Sequence, residues 1–160
     1  MAVISVAPAL RRMAAPAAFL LVAPFAGQTW AAGVEAPATL QDCAGCHMAY
    51  PPQFLPRRSW SALMSGLENH FGENANLPAR ANAEILGYLL AHAADAPANA
   101  ESQRYMWDID EGSVPLRITD TPWWRGAHEE VDLSQVSVTP VKSVANCLGC
   151  HRTIATGGQE

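Results

Sequence analysis

The chain has 160 residues, of which 49% are hydrophobic and 16% charged, with ten basic side chains against fifteen acidic ones and a formal charge of −5. That length suits one compact domain or two small lobes and excludes a multidomain enzyme. The acidic balance makes nucleic acid and anionic membrane poor partners and suits a basic protein surface better, although the same excess also serves plain solubility.

In chain order, Arg11 and Arg12 precede an apolar stretch over residues 13–25, followed by small residues as far as Ala31 and Ala32. This is the pattern of a cleavable secretory signal. Pro16 and Pro24 interrupt the stretch, which is shorter than the roughly 20 residues of a membrane span. Residues 1–31 are therefore read as a removed signal, although the apolar run before Arg11 sets the positive region unusually late. Removal takes away Arg11 and Arg12 and leaves the mature chain more acidic. No later segment approaches the length of a span, so the mature form is expected to be soluble. Residues 33–39 form a Gly/Ala/Pro lead-in without periodicity.

Cys43-Ala44-Gly45-Cys46-His47 comes next, on a helix predicted over 40–48 that Tyr50-Pro51-Pro52 terminates, because a residue before proline is pushed out of the helical region. In a C-x-x-C-H run the two thiols add across the vinyl groups of a heme and the adjacent imidazole reaches the iron. Trp60, Leu63, Met64, Leu67, His70 and Phe71 then recur at helical spacing, which predicts one amphipathic helix over 56–72. A second helix is predicted over 78–94, with Asn76 as its cap, a proline in its first turn, and Ile85, Leu86, Leu89 and Leu90 on its apolar side.

Residues 96–100, with Pro97, read as a linker. Beyond it 105–122 lacks a helical period, and Val114-Pro115-Leu116-Arg117-Ile118-Thr119 has the composition of a short strand. Residues 123–130 read as a helical turn and 131–138 alternate weakly. A second heme helix is predicted over 143–152, around Cys147-Leu148-Gly149-Cys150-His151. The expected fold is mainly α: two small heme-centred helical lobes with irregular loops, divided as 32–97 and 98–160.

All four cysteines lie in the two motifs, which leaves no thiol for a disulfide. A bare C-x-x-C could belong to a zinc or redox site. A histidine directly after the second cysteine, twice, with no further cysteine to complete a zinc site, points instead to two covalently bound heme c groups held by Cys43, Cys46, Cys147 and Cys150. Such attachment normally takes place outside the cytoplasm, so the export signal and the motifs agree on a periplasmic location. The hemes also supply apolar surface that a chain of this size needs for a core.

Two six-coordinate irons need four axial ligands. His47 and His151 provide two, and the remaining histidines are His70, His92 and His128. His70 extends the apolar stripe of its helix, about 15 Å along the axis from Trp60 at 1.5 Å per residue, so that Trp60 and Leu63 could wall a heme whose iron His70 reaches. Its bland alternative is a helix-end histidine facing water. His128 follows Trp123, Trp124 and Arg125, residues suited to packing on a large flat ring. Its alternative is a solvated histidine beside Glu129 and Glu130, whose charges favour its protonated form. His92, at the edge of an apolar face and among alanines, is the lower-ranked candidate.

Met48 is too close to its own proximal histidine to cross the ring. Met64 and Met106 remain as alternatives in a His/Met site, which would raise the potential. Loop-closure cost separates local from crossed pairing by only roughly 1 kcal/mol, and the local arrangement, His47 with His70 and His128 with His151, is preferred. Arg57, Arg58 and Arg125 are candidate partners for heme propionates.

The residues around these sites carry a wider resemblance. Ala49-Tyr50-Pro51-Pro52, Leu55-Pro56, Ser59-Trp60, Leu63-Met64, His70-Phe71-Gly72-Glu73-Asn74-Ala75, Tyr88-Leu89, Arg117-Ile118-Thr119, Pro122-Trp123, His128 and residues 143–151 resemble the small periplasmic dihaem cytochrome c family of purple and related proteobacteria. The resemblance implies low-potential hemes with two histidines each, the distal ones falling on His70 and His128 and not on His92. It also implies an electron carrier that takes electrons from a membrane cytochrome b and passes them to a small monoheme cytochrome c. Two histidines on each iron would leave no open position for a substrate, so the chain is expected to be no enzyme, and it is expected to act as a monomer. The rival class is a sensor or enzyme in which one iron has a displaceable ligand and binds a small molecule. A third is a structural subunit of a larger respiratory complex.

Overall fold

The computed structural model describes residues 42–97, 99–151 and 154. The predicted signal and the lead-in lie outside the described residues. Among those described, the regular structure is helical, with no strand; one isolated bridge joins His70 and Glu73. No helix there is long and apolar enough to cross a membrane.

Among the described residues the architecture is carried by α1 (Arg57–Ser65), α2 (Ala79–His92) and α3 (Pro122–Ala127). Short 3₁₀ turns fill the intervals, at Pro52–Phe54, Leu67–Asn69, Ala100–Met106, Ile118–Asp120, Leu133–Val138 and Cys147–Gly149. Prolines set the first entry points. Pro51 and Pro56 hold their φ near −58° and −69° just ahead of the first 3₁₀ turn and of α1, where a missing N–H costs nothing.

The apolar stripe of α1 is buried as its period requires: Trp60 and Met64 face inward and pack with Leu55, Leu67, Ile85, Leu89 and Ala93. α1 and α2 lie against each other. Asn82 Nδ2, in the first turn of α2, donates to the Met64 carbonyl at 2.9 Å near the end of α1, serving an oxygen the helix leaves open. Trp60 Nε1 donates to the Pro52 carbonyl at 2.7 Å, fixing the approach to α1.

The predicted helix over 56–72 is not continuous. Ser65 Oγ donates to the Ala62 carbonyl and Gly66 adopts φ −118°, ψ 26°, ending α1; serine competes locally with the backbone and glycine is a poor helix former. After the Leu67–Asn69 turn, His70 and Glu73 exchange backbone hydrogen bonds of 2.7 and 3.2 Å. Phe71 and Gly72 between them both take positive φ, 57° and 102°, the pattern of a type I′ two-residue turn. Gly72 adopts this freely, whereas a phenylalanine there is strained by about 1–2 kcal/mol.

α2 matches its prediction more closely. Pro78 in place of Asn76 occupies the cap, and no side chain caps the helix. The segment read as a linker begins packed: Ala96 is 2% exposed and its carbonyl accepts from Asn99. The expected strand at 114–119 is absent. Residues 118–120 form a 3₁₀ turn, and the carbonyls of Asp110 and Ser113 just upstream accept from the Arg58 guanidinium of α1, so this loop is held by a side chain and has no strand partner. The second heme helix contracts to the 3₁₀ turn at Cys147–Gly149.

A second apolar cluster joins the two halves of the chain. Phe54 stacks on Trp123 (centroids 5.5 Å, 19°) and meets Tyr105 edge-on at 5.0 Å, while Tyr105 meets Trp123 edge-on at 4.4 Å. Such pairs add to the burial of large rings.

Two substitutions in α2 should move stability in opposite directions. Ile85 is 1% exposed within the main cluster, so Ile85→Ala should cost about 2–5 kcal/mol. A Cβ at exposed Gly87 meets no atom within 4 Å, so Gly87→Ala should stabilise by about 0.5–1 kcal/mol. Denaturant midpoints of the heme-loaded protein check both, and equal midpoints for the two variants would refute this packing.

Candidate heme centres

The first centre is built on the turn after Cys43, whose carbonyl accepts from the N–H groups of Cys46 and His47, both at 3.4 Å. His47 Nδ1 lies 2.6 Å from the Met48 carbonyl. A histidine that donates from Nδ1 presents Nε2 outward, the arrangement that orients an imidazole toward a metal. Tyr50 stacks on the His47 ring, centroids 5.0 Å apart at 28°. Facing it, His70 stands with its ring centre 6.0 Å away. Burial, then the His47 charge, then Arg117 hold the His70 imidazole below the usual histidine range. Arg117 lies over the Phe71 ring at 3.9 Å, and Phe71 touches His70 edge-on.

The second centre draws on α3. Thr121 Oγ1 accepts from the Trp124 N–H and Pro122 takes the first helical position, a strong local start signal. Four residues on, His128 returns to the face of Trp124. Its ring stacks on the indole at 4.3 Å and 20°, and its Nδ1 lies 2.8 Å from the Trp124 carbonyl. His151, whose N–H donates to the Cys147 carbonyl at 2.7 Å, faces His128 with ring centres 5.9 Å apart. Around this pair lies a cavity of about 480 Å³ walled by Trp123, Trp124, Val141, Val144, Cys147 and Cys150 among others. That is the size and apolar character of a cofactor site, roughly 300–1,000 Å³.

Both arrangements fit a heme. Metal–imidazole bonds run to roughly 2 Å, so two rings on opposite faces of one metal, each centred about 1 Å behind its nitrogen, stand about 6 Å apart. All four cysteines are unpaired, Cys43 and Cys147 half-buried, Cys46 and Cys150 exposed. Burial pushes the Cys43 and Cys147 thiols up from the ordinary cysteine value.

The other candidates go elsewhere. His92 is exposed at the end of α2, its Nδ1 2.9 Å from the Tyr88 carbonyl and its ring against Tyr88. Met64 is in the main core and Met106 packs on the second cluster. Of the arginines considered for propionates, Arg58 is engaged with the 110–113 loop and Arg125 sits 3.9 Å from Asp120 in solvent. Arg57 contributes its backbone N–H to Asp95 and exposes its side chain. Arg104, which sequence reasoning passed over, lines the second cavity, with its guanidinium over Tyr105 and donating to that hydroxyl. Its short 3₁₀ turn carries no periodic signal that could have singled it out.

Two attachment loops, each closing on a pair of facing imidazoles within a mainly helical frame, define a c-type cytochrome with two covalently bound hemes. The chain belongs to the dihaem cytochrome c family, whose model matches residues 39–158. A solved diheme cytochrome c from Rhodobacter sphaeroides is 39% identical with a TM-score of 0.72, over 79% of this chain and 98% of that one. A second structure, of the protein purified from the same organism, is 38% identical with a TM-score of 0.64, over 78% and 97%. A diheme cytochrome c of Shewanella baltica is 31% identical with a TM-score of 0.61, over 78% and 86%. No curated protein matches the chain.

The two motifs share a glycine but not its surroundings. A Cβ on Gly149 would stand 2.7 Å from Val141 Cγ1, whereas one on Gly45 would meet nothing within 4 Å. Valine is stiff about χ1 and cannot swing aside cheaply. Gly149→Ala should therefore lower attachment of the second heme and Gly45→Ala should not affect the first, as read by heme content and protein mass. Equal attachment in both variants would contradict the contact.

Proposed function

We propose that the protein is a periplasmic electron carrier in which His47 with His70 and His128 with His151 are the axial ligands of the two hemes. The observation that carries this reading is the pair of imidazole separations, 6.0 and 5.9 Å. Each heme, when bound, supplies one-electron chemistry at its iron. The chain's own residues do the rest. Paired imidazoles close both faces and leave no position for a substrate, which supports a carrier and not an enzyme. Ligation by two histidines sets a lower potential than His/Met ligation. The Nδ1 contacts of His47 and His128 fix their rings, and Trp123 and Trp124 keep water from the second centre.

Residues 1–31 act in this reading as the export signal, and 32–97 and 98–160 each house one centre. The acidic surface fits a basic redox partner. A membrane cytochrome b as donor and a small monoheme cytochrome c as acceptor match what the family resemblance implies, with the carrier acting as a monomer.

Optical and electron paramagnetic resonance spectra test the ligand set. The native protein should show two low-spin hemes. His70→Ala and His128→Ala should each turn one heme high-spin and open it to carbon monoxide, while His92→Ala should leave both spectra unchanged. A high-spin heme in the native protein would remove this reading and favour the small-molecule sensor, and one created by His92→Ala would overturn the ligand set.

A further inference from the structure

Tyr50 touches both centres. Its ring stacks on His47, and its hydroxyl donates at 2.8 Å to the carbonyl of Ala145, 95 residues further along the chain. Ala145 lies two residues before Cys147, in the loop that attaches the second heme. The Cys147 thiol also points at that carbonyl, at 3.7 Å, but a cysteine bound as a thioether has no S–H to donate, which leaves the phenol as its donor. Two constraints hold Tyr50 in place, since Pro51 behind it restricts its backbone and its ring packs on the main apolar cluster.

We propose that Tyr50 is a positioning residue that joins the two centres, holding the His47 imidazole by stacking and tying it through its hydroxyl to the second attachment loop, so that electron exchange between the hemes runs through this contact. The proposal rests on His47 being an axial ligand, as proposed above. The connection runs from imidazole to phenol, across one hydrogen bond to the Ala145 carbonyl, and through Asn146 to Cys147. One electron leaves one centre and arrives at the other; Tyr50 keeps its proton and is neither oxidised nor reduced. A tyrosine that only filled space would do as well without its hydroxyl.

The test compares Tyr50→Phe and Tyr50→Leu with the native protein, each loaded with both hemes as verified by mass. Phenylalanine keeps the stacked ring, so the paramagnetic resonance signature of the first heme should be unchanged. Exchange of an electron between the hemes after flash reduction should nevertheless slow, and hydrogen exchange at the Asn146 amide should speed up by roughly five-fold, the factor that a net hydrogen bond of about 1 kcal/mol is worth in a local-opening equilibrium. Leucine removes ring and hydroxyl together, and should in addition shift the signature of the first heme while leaving the second in place. Native rates of electron and hydrogen exchange in Tyr50→Phe would overturn the proposal. Failure of the underlying ligand assignment is distinguishable, since it would show as a high-spin first heme in the native protein before any substitution.

Discussion

The structure is organised by one arrangement, two pairs of imidazole rings whose centres stand 6.0 and 5.9 Å apart, His47 with His70 and His128 with His151. One ring of each pair comes with its cysteines in a five-residue run, so the fold has only to bring the other, the proposed distal ligand, to face it. It does so in two unrelated ways. At the first centre the helix stops at Gly66 and the chain turns tightly through Phe71 and Gly72, which leaves His70 anchored by both of its backbone groups to Glu73. At the second, His128 sits at the end of a capped helix of six residues. A helix so short has no stability of its own in water; packing of Trp123 and Trp124 holds it.

The contacts around both facing pairs tie the halves of the chain together. Phe54 from the first half stacks on Trp123 of the second. Ile118 touches both apolar clusters. Arg58 holds the loop at 110–113 and Arg117 covers Phe71. The Phe54 and Arg117 contacts each span dozens of residues and end on Trp123, which walls the second cavity, and on Phe71, which touches His70. Contacts that make the core therefore also set the surroundings of the histidine pairs, and a packing change at Phe54 would be felt at the second of them.

What the sequence disclosed follows from which constraints are local. Attachment chemistry demands C-x-x-C-H at fixed spacing, so Cys43, Cys46, His47 and their counterparts at 147–151 are legible without any structure. The periodicity of α2 and the apolar company of His70 and His128 are legible for the same reason. The break at Gly66 is not, because the stripe of Trp60, Met64 and Leu67 continues through it and periodicity alone cannot distinguish a helix from a helix, a 3₁₀ turn and a tight turn in succession. The β-branched composition at 114–119 suggests a strand, but a strand needs a partner, and only the folded chain reveals that Arg58 takes the upstream carbonyls. Arg104 is invisible because it reaches the cavity from a short 3₁₀ turn without helical periodicity, and only tertiary packing brings that turn to the second centre.

With the same ligand types proposed on both hemes, any difference in their affinity for an electron must come from the surroundings. At the first centre, the Arg117 charge lies over the Phe71 ring that touches His70, and a nearby positive charge would disfavour the extra positive charge of oxidised iron. At the second, the stacked Trp124 indole and the apolar cavity wall act in the same direction by excluding water, while the exposed carboxylates of Glu129 and Glu130, next to His128 in the chain, oppose it. Charge at one centre and desolvation at the other respond differently to salt, since screening weakens an exposed arginine more than it weakens a buried wall. On the proposed ligand set the two hemes thus share their chemistry but not their surroundings, and that inequality traces to Arg117 on one side and Trp124 on the other.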